Sequence, residues 1–448
     1  MGKIEPEPVK KQLTLADVDS IRLKTNLSIN KTYDVLKVIR SSLGKKSVEA
    51  MIKPKMQMEN KAYKDLFQAT TFENKPVVFC SEVKELLCRV QKSREDAPDY
   101  YRLGLDSGRG SLKMTISVMD TKKDVMTGIK LSGVKRILVI AVAIACSETY
   151  EVIKYLFNIT NVEEALDGKK WFISSDLKMD NILCGIGSHA SSYPCHMCEW
   201  PIGTTENGPW IPRTFEGIRK QHEDWVASGG NEKELRLYKN VKHLPVFESS
   251  TGLTTNIFVP SPLHVMIGLT SKIWETFIAM VPEAEEWLIS VNIVRQKQNG
   301  GQFDGNSCRK MMVQANTSLK SWLVDRELLE KSTPYLDLLH CLSNVVETSF
   351  GNDLQLGYEE HIQTFQKRFE RLGISRRMTK FHQLASHIIP FLRGTNGRGL
   401  GFYSESTLEA CHYDFLQFWD RHSVKNLESA RAKEGLVKSV LEYNALHT

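Results

Sequence analysis

Cys195 and Cys198 set the tightest condition on how this chain can fold. They stand two residues apart in Pro194-Cys-His-Met-Cys-Glu-Trp200. Two thiolates at that spacing grip one tetrahedral zinc from a single turn, and they supply only half of its ligands. Two further donors must return to this point from elsewhere. Phe381-His382-Gln-Leu-Ala-Ser-His387 carries two histidines five residues apart near the end of a predicted helix. A CxxC commonly pairs with such an element, so His382 and His387 are candidate ligands. His189 and His196 are local competitors, and a pair of buried thiols is the plain alternative.

The segment leading into this turn is equally informative. Trp171 to Ser175 reads as an apolar strand that ends in Asp176, and a short helix follows. Tyr100 to Asp106 reads as another strand ending in a carboxylate. Ser107 to Ser111 is a Gly-rich turn, Leu112 to Met119 a second strand, and Val134 to Cys146 a fully buried third. Thr149 to Phe157 is an amphipathic helix. A helical crossover between the third strand and Trp171–Ser175 is what parallel pairing requires. The order β-β-β-α-β suits a ribonuclease-H-like sheet, which would set Asp106 and Asp176 on adjacent strands. Carboxylate oxygens so placed suit a hard divalent cation; a carboxylate capping a turn or helix is the plain alternative. Asp180, one turn beyond Asp176, is a rival. Downstream, Glu405 and Glu409 are one helical turn apart, share a face, and are not distinguished by geometry.

The whole chain has 448 residues, nine cysteines and a net charge of +6. That length allows two or three domains or one elaborated one. The unpaired cysteine count suits a reducing compartment. No secretory leader is expected from the Lys/Glu/Pro-rich start, and Ile137–Cys146 is too short to span a bilayer. Residues 1–61 hold 13 Lys/Arg against 7 Asp/Glu, which accounts for the whole excess. A basic arm on a neutral body implies an anionic partner such as a phosphate backbone, or else a solvated tail. Within the arm, residues 1–13 look disordered. Thr14–Lys24 can form one helix, and Ser28 caps a second with Tyr33, Leu36 and Ile39 on its stripe and Gly44 as its stop. Lys53–Asn60 reads as a linker. Tyr63 to Lys92 reads as helical. From Leu263 onward helix periodicity dominates.

The expected organisation is therefore α/β + α. Residues 1–61 form a basic helical arm for DNA binding or dimerisation, and 62–99 a helical linker. Residues 100–194 form the ribonuclease-H-like core, interrupted by a mostly helical, zinc-stapled insertion over 195–393. Residues 394–448 form C-terminal helices with the third acid. Asp106-Ser-Gly-Arg-Gly-Ser111 lacks the spacing of a nucleotide loop. Arg109, Lys113, Arg309 and Lys310 are candidate phosphate contacts; His264 and Cys308 read as structural.

Taken together, the motifs resemble the Transib transposases and the catalytic subunit of the V(D)J recombinase, within the DDE transposases. The resemblance covers roughly residues 100–422. It rests on Asp106, on Asp176 followed by Cys195-His-Met-Cys198, on Leu263-His264-x-x-x-Gly268 and on Gly305-Asn306-x-x-Arg309-Lys310. His382 with His387 and Ser404-Glu405-x-x-x-Glu409 complete the order. It implies that Asp106, Asp176 and Glu409 hold two Mg²⁺ or Mn²⁺ ions, and that Cys195, Cys198, His382 and His387 hold a structural zinc. It further implies DNA cleavage and joining by a nuclear homodimer, or by one in another reducing intracellular compartment. A domesticated DNA-binding protein without catalysis and a zinc-stapled interaction scaffold are the alternatives. Residues 1–99 have no counterpart in the family's DNA-binding regions.

Overall fold

The computed structural model describes residues 12–25, 27, 29–44, 47–48, 62–94, 98–108, 110–119, 137–188, 190–204, 208–295, 302–374 and 377–446. The expected linker over Lys53–Asn60, the Ser28 cap, His189 and Arg109 lie outside these residues.

A six-stranded mixed sheet organises the larger core. In chain order its strands are β1 (Phe67–Phe72), β2 (Lys75–Cys80), β3 (Tyr100–Gly108), β4 (Ser111–Met119), β5 (Ile137–Ile144) and β6 (Trp171–Ser175). In space they run β1-β2-β5-β4-β3-β6. Among the described strands of this sheet only the β3–β6 pair is parallel. The helical connection before β6 makes this possible, because parallel neighbours need a long crossover. Every residue of β5 is buried, as its unbroken apolar run requires of a central strand.

The helices are α1 (Leu15–Thr25), α2 (Ile29–Leu43), α3 (Val83–Arg94), α4 (Tyr150–Thr160), α5 (Val162–Leu166), α6 (Leu177–Leu183) and α7 (Phe215–Ala227). Then come α8 (Pro262–Met280), α9 (Ala284–Ser290), α10 (Gly305–Gln314), α11 (Lys320–Val324), α12 (Leu329–Ser349) and α13 (Tyr358–Arg371). The last are α14 (Thr379–Gln383), α15 (Ile389–Arg393), α16 (Leu400–Tyr403), α17 (Ser406–His422) and α18 (Ala430–Ala445). Among the described residues no helix is long and apolar enough to cross a membrane.

The helical linker expected over 62–99 is found only in part: α3 (Val83–Arg94) and a short helical turn at Lys64–Leu66 are helical, but a hairpin of β1 and β2 takes 67–80. Glu73 and Asn74 both adopt positive φ, 48° and 63°, as a two-residue hairpin turn of matching twist demands. Flanking Thr-Thr-Phe and Val-Val-Phe runs favour extended backbone. Helix periodicity masked a hairpin, and the sheet core begins near Tyr63.

Two apolar clusters divide the bulk of the chain. One contains the sheet, α3–α7, α17 and α18, together with Cys195, Trp200, Phe247 and Phe258. The other is built from α8–α16 and includes Phe172 of β6. Apolar residues of 195–258 thus pack with the sheet, and the helical cluster begins near Val259. A third, small cluster joins Val18, Leu36 and Val48. At the sheet's centre, Asn444 of α18 bonds both backbone groups of Val139, at 2.8 and 2.9 Å. This satisfies β5 where its register with β4 shifts, since buried backbone groups must find partners.

Candidate metal centre and acidic cluster

The CxxC finds its partners at the far end of the helical cluster. Cys198 Sγ lies 3.2 Å from His382 Nε2, Cys195 Sγ 3.4 Å from His387 Nε2, and the two imidazole nitrogens 3.1 Å apart. All four donor atoms lie within 4.8 Å of one another. A tetrahedral zinc with bonds of 2.0–2.3 Å needs donor separations of about 3.3–3.8 Å, so this cluster can hold a metal such as zinc. On a regular helix a spacing of five would splay the two rings by about 140°. Residues Leu384–Ile388 form a π-turn instead, and the wider turn brings His387 round to His382. Such bulges recur at functional positions.

The surroundings orient the ligands. Trp200 stacks on His382 at 4.3 Å and 4°. Ser386 Oγ lies 3.3 Å from His382 Nδ1, which leaves Nε2 for the cluster. Buried Arg213 donates from Nε to the carbonyls of Cys195 and Cys198 at 2.8 and 3.2 Å and from Nη2 to Lys239 O at 2.9 Å. Burial opposes a charge on Cys195, but the Cys198 hydrogen bond and the two imidazoles hold its thiol well below the usual range. Cys198 is pushed up by that same bond, then by burial. His196 is not part of the cluster. It is buried against Phe258, with its Nε2 3.6 Å from Asp180 Oδ2.

The acids gather at one end of the sheet. β3 and β6 pair in parallel with Leu105 beside Ser175, so one further step sets Asp106 beside Asp176 on strands about 4.8 Å apart. The third element is pinned across both strands. Arg102 of β3 donates to Ser404 O at 3.0 Å, and Ser174 of β6 to Tyr403 O at 2.8 Å. From there α17 runs over β3 so closely that a Cβ on Gly104 would lie 2.5 Å from Leu408 Cδ2.

Glu405, the N-cap residue of α17, and Glu409 in its first turn separate by environment. Glu405 is 4% exposed and accepts from Ser261 Oγ, Leu263 N at 3.2 Å and His264 N at 3.3 Å, with His264 Nδ1 at 3.1 Å. It acts as the N-terminal cap of α8, whose own Ser261 makes no capping bond. Glu409 is exposed, as a solvated helix face would be, yet its carboxyl is raised. Crowding by the protein contributes most, Asp106, Glu405 and Asp304 add to it, and His264 opposes it.

Asp176 Oδ1 accepts from Met179 N at 2.6 Å, which makes it the cap of α6. Asp180 is fully buried. Burial raises its carboxyl well above the usual range, opposed by the Ser175 hydrogen bond and supported by Asp176, Glu405 and Cys195. Asp106 Oδ2 lies 2.8 Å from His412 Nε2, and Lys113 Nζ is 2.6 Å from His412 Nδ1. Burial brings the Lys113 ammonium down to about 8, against the pull of Cys411 and Asp106.

The expected phosphate contact at Lys113 is corrected by its 1% exposure: this amine points into the protein. Arg309 and Lys310 are exposed, and Lys310 donates to Val291 O. Asp106, Asp176 and Glu409 do not converge as the cysteines and histidines do; among the described residues only the Cys/His set has its donors within 4.8 Å. His264 serves the Glu405 cap, and Cys308 is buried. A close approach also explains Gly268: a Cβ there would sit 2.0 Å from Lys380 Cδ. Burial lowers Lys380, and Asp176 and Cys308 hold it up.

Sequence reasoning missed His412 and gave Lys113 a different role, and it missed Arg213 and Lys380. The first two carried a signal: His412 is three residues beyond Glu409 on one helical face, and Lys113 stands opposite Asp106 across the hairpin.

Residues 57–221 match the model of a domain of unknown function, DUF8703. The matched stretch spans all six strands and carries Asp106, Asp176 and the two cysteines, but not His382, His387 or Glu409. No curated protein matches the chain.

Proposed function

We propose that this protein is a DNA-cleaving and -joining enzyme of the DDE transposase kind, resembling the Transib transposases and the V(D)J recombinase catalytic subunit, built on a ribonuclease-H-like sheet. The observation that carries this reading is the parallel pairing of β3 and β6, which sets Asp106 and Asp176 side by side beneath the helix that bears Glu409. The donor chemistry fits a divalent cation: three carboxylates offer hard oxygen ligands, and Glu409 is destabilised as an anion first by the protein crowding it and then by its acidic neighbours. Side-chain rotation must still draw the three together. Two Mg²⁺ or Mn²⁺ ions bound there would activate the attacking oxygen and stabilise the leaving one. The protein's own part is positioning: β3, β6 and α17 form one packed unit, so the backbone that carries the acids stays in place while their side chains turn to the metal and a phosphodiester.

In the same reading Cys195, Cys198, His382 and His387 hold a structural zinc that closes the helical insertion onto the sheet. A four-ligand site leaves no open position for chemistry. DNA, a homodimer and a nuclear setting complete the proposal.

One observation favours a second reading, a DNA-binding protein without catalysis: Asp106 is engaged by His412 and the acids stand apart. Nicking of supercoiled plasmid with Mg²⁺ or Mn²⁺, compared between wild type and Glu409→Gln, decides between them. Metal-dependent nicking that the variant lacks supports the enzyme. DNA retention without cleavage by the wild type, on plasmid and on end-specific substrates, refutes it in favour of the binding protein. Absent or salt-insensitive DNA binding refutes both, because phosphate contacts make affinity fall steeply with salt.

A further inference from the structure

Lys113 and His412, both buried, link to the half-buried Asp106 in a chain that the proposed chemistry does not require. Lys113 and Asp106 face each other across the β3–β4 hairpin, but their charges meet only through the imidazole of α17. Lys113 Nζ is 2.6 Å from His412 Nδ1, and His412 Nε2 is 2.8 Å from Asp106 Oδ2. The space bounded by Asp106, Lys113, Thr115, Leu408, Cys411 and His412 has no room for a water molecule, while Asp106 itself is half-buried and reaches solvent. The ring is also fixed from outside, since a Cβ on Gly108 would lie 2.9 Å from its Cγ and Cδ2.

The direction of the hydrogen bonds follows from the donors. An ammonium group donates and cannot accept. Lys113 behaves as one: it also reaches Ser111 Oγ at 2.5 Å and lies over the Phe415 ring at 5.1 Å. Nδ1 of His412 must then accept, which leaves the proton on Nε2, aimed at the carboxylate. Among the described residues no hydrogen bond reaches the other oxygen of Asp106.

We propose that His412 is a positioning residue: held as its Nε2–H tautomer by Lys113, it occupies Oδ2 of Asp106 and leaves Oδ1 as the one oxygen this acid presents to a divalent cation. The geometry is that of a partner orienting a ligand, and loss of such partners typically weakens metal binding by about 10- to 100-fold. The cation half rests on the reading of Asp106 as a ligand; the tautomer does not.

The test uses the full chain labelled with ¹⁵N-histidine, with His412 assigned by the resonance missing in H412Q. The wild type is expected to show the Nε2–H tautomer, and K113M to lose that preference. In parallel, Mn²⁺ binding sensitive to D106N is titrated in wild type, H412Q and H412L. Gln can still donate an N–H towards Oδ2 and is expected to stay within a few-fold of wild type, whereas Leu should lose about tenfold or more. Zinc content and melting temperature confirm that each variant is folded. An Nδ1–H tautomer in the wild type, or equal Mn²⁺ affinity in H412L, overturns the inference alone. No D106N-sensitive Mn²⁺ binding in the wild type overturns its cation half together with the nuclease reading.

Discussion

Replacing Glu405 by alanine should be among the most damaging single changes at this end of the sheet, although the motif it belongs to draws attention to Glu409. The buried carboxylate takes bonds from Ser261, the backbone N–H groups of Leu263 and His264, and the His264 ring. A helix begins with N–H groups that have no partner within it, and here the partner comes from α17. Each N–H orphaned away from water costs about 1–3 kcal/mol, and a bond to a charged group contributes about 1.5–3 kcal/mol. Leu263 and His264 are half-buried, so water recovers part of this. The expected loss in Glu405→Ala is about 3–5 kcal/mol, read from the urea-unfolding free energy. Glu409→Ala, which removes an exposed side chain, should change it by no more than about 0.5 kcal/mol. A loss below about 1 kcal/mol in Glu405→Ala would refute the capping argument.

The same contact makes stability depend on pH. Burial disfavours the charged His264 ring, but its bond to Glu405, with the charges of Glu405 and Asp176, raises it to about 8, above about 6.5 in the unfolded chain. The contribution is therefore complete below pH 6.5 and is lost as pH rises through 8. It amounts to about 1–2 kcal/mol and should be absent from the unfolding curve of Glu405→Gln. Cys195→Ser should abolish stoichiometric zinc and lower the melting temperature sharply, because metal and folding free energy are linked; full-length protein purified without zinc would contradict this. Gly104→Ala forces a Cβ against Leu408 and Thr115 and should cost about 1–3 kcal/mol, seen as a shift in the unfolding midpoint, with cleavage reduced because α17 carries Glu409.

Local patterning carried much of this protein. The fully apolar run of β5, Asp106 near the end of β3, Asp176 after β6, the CxxC, the His382–His387 pair and the long C-terminal helices could each be read along the chain, because each is a relation between residues within a few turns or strand steps. Tyr63 to Lys92 shows where that reading fails. Its apolar positions satisfy a helical period, and the decision for a hairpin lies in the turn at Glu73-Asn74 and in the edge that β5 offers to β2.

Roles that depend on two distant segments were hidden for a different reason. Glu405 and Glu409 share a face one turn apart, so no sequence rule separates them; burial against the start of α8 gives one a structural task and leaves the other in solvent. His382 and His387 stand at a spacing that an ordinary helix would not bring together, and the π-turn that does so is stabilised by tertiary packing. Lys113 reads as a surface cation, yet β4 is one of the two central strands of the sheet and turns its amine inward to His412 of α17. The sequence by itself determined which chemical groups this chain possesses and which backbone elements carry them. Only the tertiary structure decided which groups meet, because burial and contact are properties of the packed elements together and not of any one of them.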